Sequence, residues 1–211
     1  MTETDEKRRL PADLAGTALV VVDMQNGFCH PDGSVARAMP VDANRAVIPR
    51  IEQLVRAARE AGLLVVWSRQ EHLRGDVSID RSHLDNPQAR LADPPCLAGT
   101  WDAALIDELA PLAQEDDLHV VKHRASAFYG TNLEVGLRMR GIRRLIVTGV
   151  TTSYCVDATV RDAYARDLGV FLVEDACGSP WPDLHEATVR NTAIFHGVVL
   201  DTSTCVRELA G

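Results

Sequence analysis

Short apolar runs rich in valine alternate along this chain with longer stretches of helical spacing. Residues 17–22 read Thr-Ala-Leu-Val-Val-Val, a continuous apolar run typical of a strand buried on both faces. Between residues 41 and 61, apolar side chains recur at spacings of three and four, which predicts an amphipathic helix ended by Gly62. The same reasoning predicts further strands at 63–67, 118–121, 144–148, 169–173 and 197–200, and helices at 131–140, 153–167, 184–196 and 202–209.

Strands that alternate with helices predict the fold class. They indicate βαβ units with right-handed crossovers, and therefore an α/β protein. We expect a doubly wound, three-layer α-β-α domain with a six-stranded, mostly parallel sheet. A single domain is predicted over residues 17–211, after an N-terminal tail at 1–16. Residues 68–99 carry Gly, Pro, Asp and Asn without a clean period, which predicts a loop or flap region.

Polar or reactive residues follow four of the predicted strands. Asp23 comes after the first, residues 67–72 after the second, Lys122 after the third, and residues 149–155 after the fourth. The carboxyl ends of parallel strands share one edge of the sheet, and active sites of such sheets lie there. The sequence therefore predicts an active site at this edge.

Three of these residues form a unit that can activate a nucleophile. Cys155 lies at a strand-to-helix turn, where a helix N-terminus lowers the pKa of a thiol, although buried core cysteines are also common. Asp23 is a candidate general base or a loop-ordering carboxylate, and Lys122 either pairs with it or extends to solvent. Together they suit catalysis in which the carboxylate takes the thiol proton and the ammonium favours the thiolate.

Composition narrows the possible partners. The 211 residues include 22 basic and 30 acidic side chains, and the net charge of -8 argues against a nucleic-acid surface. The first apolar run is too short for a secretory signal or a membrane span. Five cysteines without close pairing suit a reducing compartment, so a cytoplasmic protein is expected. No C-x-x-C spacing occurs, and we expect neither metal nor cofactor.

Three motifs, in this order, resemble the isochorismatase-like cysteine hydrolase superfamily. They are ALVVVDMQNGF at 18–28, VKHRASAF at 121–128 and VTGVTTSYCV at 147–156. The resemblance extends from residue 17 to about residue 205. It implies a catalytic triad of Asp23, Lys122 and Cys155.

The resemblance also implies how the site is completed. A cis peptide bond between Val150 and Thr151 would aim the backbone N–H of Thr151, with that of Cys155, at a substrate oxyanion. Members of this family commonly form a homodimer or homotetramer, so one of these is expected here.

The nucleophilic cysteine favours amide chemistry within this family. It implies hydrolysis of a C–N bond in a small amide or ureide through a thioester, with water as the second substrate and ammonia or an amine released. The stretch from Arg69 to His72, with Asp76, looks like that of members acting on ureido compounds such as biuret, ureidoacrylate or N-carbamoyl amino acids. Two alternatives are a nicotinamidase-type, metal-assisted amidase, although Gln70 stands where that group has an aspartate, and a non-catalytic binding subunit.

Substrate contacts are predicted at the strand ends, because ligand pockets combine apolar walls with a few polar groups. A guanidinium there would suit a substrate carboxylate. The candidate walls are Phe28, Trp67, Phe128, Tyr129 and Tyr154, and the candidate polar contacts are Gln25, Asn26 and Arg69.

Overall fold

The computed structural model describes residues 9–76 and 83–211. Its strands are β1 (Thr17–Val22), β2 (Leu64–Gln70), β3 (Leu118–Lys122), β4 (Arg144–Val150), β5 (Gly169–Gly178) and β6 (Val198–Leu200). Its α-helices are α1 (Asn26–Cys29), α2 (Asp42–Ala46), α3 (Ile48–Glu60), α4 (Leu133–Met139), α5 (Asp157–Tyr164), α6 (Pro182–Phe195) and α7 (Thr202–Leu209). The strands form one parallel sheet in the order β3-β2-β1-β4-β5-β6. This is the predicted α/β architecture.

The central strand shows why the sheet has helices on both faces. All six residues of β1 are buried. Leu19 and Val21 pack in the cluster that includes residues of α3 and α7, whereas Ala18, Val20 and Val22 pack in the cluster that includes residues of α4 and α5. Side chains alternate between the two faces of a strand, so a continuous apolar run serves both cores.

Several predicted boundaries differ from the structure. The helix expected over 41–61 is two helices that meet at Val47, with Pro49 in the first turn of α3, where a missing backbone N–H costs least. The β2 strand continues to Gln70, so Trp67 lies inside it rather than after it. The helix expected from residue 153 begins at Asp157, after a π-helical turn over Thr152–Val156.

The predicted tail is shorter than sixteen residues. Leu10 is buried in the core, and its backbone N–H donates to Glu208 Oε2 at 2.7 Å. Residues 10–16 therefore belong to the domain, and residues 1–8 of the predicted tail lie outside the described residues. Among helices in the described ranges, none has the length and apolar character needed to cross a bilayer.

One glycine sets how closely β1 and β4 approach at the carboxyl edge of the sheet. Gly149 has a φ of +119°, and a Cβ on it would lie 2.1 Å from the backbone oxygen of Val22. A side chain here would both clash and occupy a strained conformation. Glycine thus lets the segment after β4 lie directly beside the end of β1, where Asp23 begins the next segment.

Candidate active site

The three predicted catalytic side chains meet at the carboxyl edge of the sheet. Lys122 Nζ lies 2.7 Å from Asp23 Oδ2 and 3.3 Å from Cys155 Sγ. All three residues are buried. They come from the end of β3, the residue after β1 and the π-helical turn after β4, so the strand-end argument correctly placed them together.

Lys122 is a fixed ammonium with its donors occupied. Besides Asp23 and Cys155, it donates to Gln70 Oε1 at 2.8 Å and to the backbone oxygen of Arg124 at 3.1 Å. An ammonium has three N–H groups, so four acceptors saturate it. Burial alone would lower the pKa of Lys122, but the charge of Asp23 and the contact with Cys155 raise it above its ordinary value.

Cys155 rests as a neutral thiol. Burial raises its pKa to about 12; Lys122 opposes this rise, and Asp23 adds to it through its charge and a hydrogen bond. The helix N-terminus was expected to lower this pKa, but the residue lies in the π-helical turn and desolvation is the larger effect. The thiol therefore needs a base before it can attack.

Asp23 is held by both its backbone and its side chain. Its φ of 53° is in the left-handed region, which non-glycine residues seldom adopt and which is enriched at functional sites. Its backbone N–H donates to the Ser68 carbonyl at 2.9 Å, and Ser68 Oγ donates to Oδ1 at 3.2 Å. Oδ2 is thereby directed toward Lys122.

A pair of glutamines supports the lysine from behind. Gln25 Oε1 accepts from the backbone N–H of Gln70 at 2.7 Å, and Gln25 Nε2 donates to the carbonyl oxygens of Gln70 and Ala103, both at 2.8 Å. Gln25 is fully buried. It was predicted to contact substrate, but the structure uses it to hold Gln70, whose own side chain reaches Lys122.

A cavity of about 380 Å³ opens onto this cluster. Asp23, Gln70, Thr151 and Cys155 lie on its sheet side. Residues within 72–76 and 86–97, which belong to the predicted flap region, form much of the rest of its lining. The other lining residues in the described part of the chain are Phe28, His72, Leu73, Arg74, Gly75, Asp76, Asn86, Gln88, Ala89, Leu91, Asp93, Pro94, Pro95, Leu97, His123, Arg124, Ala125, Val150 and Tyr154.

Phe28 and Tyr154 are the predicted wall residues that line the cavity. The peptide bond between Val150 and Thr151 is cis, as the resemblance implied. Thr151 and Cys155 both face the cavity, so their backbone N–H groups remain the candidate oxyanion donors.

Two predicted contacts on β2 point away from the cavity. Trp67 is fully buried in the core, and its indole N–H donates to Asp117 Oδ2 at 2.8 Å. Arg69 lies 3.7 Å from Glu71 in an ion pair and is not among the lining residues. Successive side chains of a strand face opposite sides. Ser68 and Gln70 share one face of β2, so Trp67 and Arg69 lie on the other face.

The other predicted aromatic and amide contacts also lie elsewhere. Phe128 is buried in the core, with the guanidinium of Arg166 4.9 Å from its ring centroid. Tyr129 is 66% exposed and does not line the cavity. Asn26 donates to the backbone oxygen of Trp101 at 3.0 Å. The structure therefore does not bring these three side chains to the cavity.

Four further polar residues line the cavity, His72, Asp76, His123 and Arg124, of which the sequence reasoning named the first two and missed the last two. His72 Nδ1 contacts the carbonyl oxygen of Pro95, and His123 Nδ1 lies 2.7 Å from the carbonyl oxygen of Glu71. Arg124 pairs with Asp76 at 3.3 Å. Residues 123 and 124 directly follow Lys122, so the strand-end argument would have found them had it been continued by two residues.

The remaining cysteines are core residues. They are buried, none lines the cavity in the described part of the chain, and burial raises the pKa of each thiol. These cysteines are Cys29, Cys96, Cys177 and Cys205. Within residues 9–76 and 83–211, no group of three or more His, Cys, Asp or Glu side chains is arranged to hold a metal ion.

Comparison with known proteins shows the family of this chain. Residues 17–204 match a family model described as the Isochorismatase domain. A cysteine hydrolase from Pseudomonas syringae pv. phaseolicola 1448A has a TM-score of 0.81 at 29% identity, with 96% of both chains covered.

Two amidases are also similar in structure. An N-carbamoylsarcosine amidase from Thermoplasma acidophilum has a TM-score of 0.71 at 27% identity, covering 88% of this chain and 96% of its own. A nicotinamidase from Bacillus subtilis has a TM-score of 0.75 at 28% identity, covering 88% of this chain and 98% of its own.

Proposed function

This chain belongs to the isochorismatase family of hydrolases, and we propose that it cleaves the C–N bond of a small amide or ureide with Cys155 as nucleophile. The observation that carries the proposal is the buried cluster at the base of the cavity. Lys122 Nζ lies within 3.3 Å of the thiol sulfur and 2.7 Å of the Asp23 carboxylate. A nucleophile, a base and a fixed cation are the parts that covalent acyl transfer requires.

The reaction begins with proton transfer from Cys155 to Asp23. The sulfur attacks the carbonyl carbon of the substrate, an S–C bond forms, and the carbonyl oxygen becomes an oxyanion. Lys122 keeps its proton because its pKa is raised, and it offsets the charge on the sulfur as the thiol ionises. The backbone N–H groups of Thr151 and Cys155 donate hydrogen bonds to the oxyanion, a role that fixed donors in a dry site perform well.

The second half returns the proton. Asp23, now protonated, gives it to the leaving nitrogen, the C–N bond breaks, and ammonia or an amine departs from a thioester. Water then attacks the thioester carbonyl, with the Asp23 carboxylate again as base. The S–C bond breaks, the acid product departs, and Asp23 returns the proton to the sulfur, which restores the thiol.

Substitution of two buried cysteines tests this assignment. Wild type, Cys155→Ala and Cys205→Ala are assayed for ammonia release from ureido acids, biuret, maleamate, carbamoylsarcosine and nicotinamide. Both cysteines are buried, but only Cys155 lines the cavity. We expect Cys155→Ala to lose turnover and Cys205→Ala to keep it. Full turnover of the preferred substrate by Cys155→Ala would refute the thioester mechanism.

Metal analysis of the purified protein distinguishes the metal-independent route from the nicotinamidase-type alternative. Stoichiometric zinc or iron would support metal assistance. Here the Gln70 side chain binds the ammonium of Lys122, which favours the metal-independent route. A cytoplasmic location and a homodimer or homotetramer stay predictions.

A further inference from the structure

Gln70 has one half of its side-chain amide committed to the catalytic cluster. Lys122 Nζ donates to Gln70 Oε1 at 2.8 Å. An ammonium offers donors only, so the oxygen, and not the nitrogen, must face it. This fixes the orientation of the amide without reference to any other contact. The two N–H groups of Nε2 therefore point away from Lys122.

The other half of the amide is open to the cavity. Gln70 lines the cavity, and no acceptor from residues 9–76 or 83–211 takes up the Nε2 hydrogens. The nitrogen is also not among the buried side-chain atoms that lack a partner. Since it has neither a protein partner nor full burial, it presents two donors to whatever occupies the cavity.

The backbone of Gln70 is fixed, so these donors are pre-positioned. Gln25 makes hydrogen bonds to both the N–H and the carbonyl of Gln70, at 2.7 and 2.8 Å. With Lys122 holding the oxygen, the amide is restrained from both ends. A donor that is already ordered loses little entropy when a ligand binds to it.

The sheet order places this donor away from the proposed oxyanion site. Gln70 ends β2 and Thr151 follows β4, and these two strands flank β1 on opposite sides. A carbonyl oxygen bound by Thr151 and Cys155 therefore lies across Asp23 from Gln70. The amide of Gln70 faces a different part of the same ligand.

We propose that Gln70 is a specificity residue that selects substrates with a second hydrogen-bond acceptor oxygen beyond the scissile carbonyl. The inference rests on the proposed function, since it assumes that Cys155 attacks a carbonyl group in this cavity. It narrows the substrate class from small amides in general to those with a further carbonyl or carboxylate oxygen.

Two chloroacetyl reagents test this without knowledge of the natural substrate. Chloroacetamide carries one carbonyl, and chloroacetylurea carries the same chloromethyl group with a second carbonyl. In each, the thiol proton passes to Asp23 and Sγ displaces chloride, so an S–C bond forms and the C–Cl bond breaks. Inactivation efficiency is measured for both reagents, divided by their rates with free N-acetylcysteine, and peptide mapping assigns the label to Cys155.

The readout is the inactivation efficiency of chloroacetylurea divided by that of chloroacetamide. A change in the reactivity of the Cys155 thiol affects both reagents equally and cancels in this ratio. Wild type should prefer chloroacetylurea by roughly three- to tenfold, the effect of one neutral hydrogen bond. Gln70→Met and Gln70→Glu should both lose the preference; the second keeps an oxygen acceptor for Lys122. The exposed Gln53→Met is the matched control and should behave as wild type.

A preference that survives in both Gln70 variants, or that wild type lacks, would overturn the inference. Labelling does not require turnover, so this result is independent of the Cys155→Ala hydrolysis assay. The specificity role can therefore fail while the hydrolase proposal stands, and the reverse also holds.

Discussion

Replacing Asp23 by asparagine removes one charge from the catalytic cluster and keeps its shape. The carboxylate contacts Lys122 through Oδ2 at 2.7 Å and accepts from Ser68 through Oδ1. In Asp23→Asn, the amide oxygen can face the ammonium while the amide N–H groups donate to the Ser68 hydroxyl oxygen. The variant therefore tests the charge of Asp23 more than its packing.

The remaining cation then acts on the thiol alone. Unit charges 3.3 Å apart, the distance between Lys122 Nζ and Cys155 Sγ, attract by roughly 5 kcal/mol at an effective dielectric constant of about 20. About 1.36 kcal/mol changes an ionisation equilibrium tenfold. The pKa of about 12 already includes this attraction, and Asp23 adds to the rise through its charge and a hydrogen bond. Because the variant removes the charge of Asp23 and keeps that of Lys122, we expect the pKa of Cys155 to fall below about 12.

Alkylation and hydrolysis should therefore change in opposite directions. Iodoacetamide labelling of Cys155, followed between about pH 6 and pH 10, should show a lower midpoint and faster reaction at neutral pH. Turnover should fall by roughly 10²- to 10⁴-fold because the general base is lost. Asp32→Asn, at a side chain that is 87% exposed, is the control. An unchanged labelling midpoint, or full turnover in Asp23→Asn, would refute the assignment of Asp23 as the base.

Two other expectations concern stability. The free energy of unfolding should fall as the pH rises above about 8.5, because unfolded thiols ionise there whereas burial raises the folded-state pKa of Cys205 to about 12. Cys205→Ala should reduce this slope by about 1.36 kcal/mol per pH unit in urea unfolding with reductant present, and an unaltered slope would contradict it. Trp67→Phe should cost about 1.5–3 kcal/mol by removing a hydrogen bond to a charged group, here Asp117. Turnover by Trp67→Phe should be unchanged. A large rise in KM would instead show that Trp67 contacts the substrate, as the sequence predicted.

The sequence was sufficient for the fold and for the meeting of three polar residues at one sheet edge, because both follow from the same pattern. Buried parallel strands produce apolar runs, and their carboxyl ends share one edge. Asp23, Lys122 and Cys155 could thus be placed together without any knowledge of sheet order. The resemblance drawn from three motifs is confirmed by the family match over residues 17–204.

The substrate contacts were harder to predict, because the strands extend beyond their apolar runs. The β2 strand continues through Ser68, Arg69 and Gln70, which composition alone assigns to a loop. Once these residues are known to be a strand, period-two alternation selects Gln70 and rejects Arg69. The segment between 83 and 97 has no period that would reveal which of its side chains face the cavity.

The thiol pKa was mispredicted for a different reason. Position at a strand-to-helix turn predicts a lowered value, but the magnitude depends on burial, which a single sequence does not report at that precision. Cys155 is 5% exposed, and desolvation exceeds the effect of the adjacent cation.

The division of the cavity between sheet edge and flap has an evolutionary consequence. The proposed bond-breaking groups are anchored at the ends of strands whose spacing is fixed by backbone pairing, whereas the lining residues within 73–76 and 86–95 belong to no strand of the sheet. Insertions, deletions and side-chain exchanges among those lining residues can accumulate while the reacting atoms keep their separation. A scaffold of this kind can acquire new substrates by changing one segment, and grafting that segment between relatives is a direct route to redesigning selectivity.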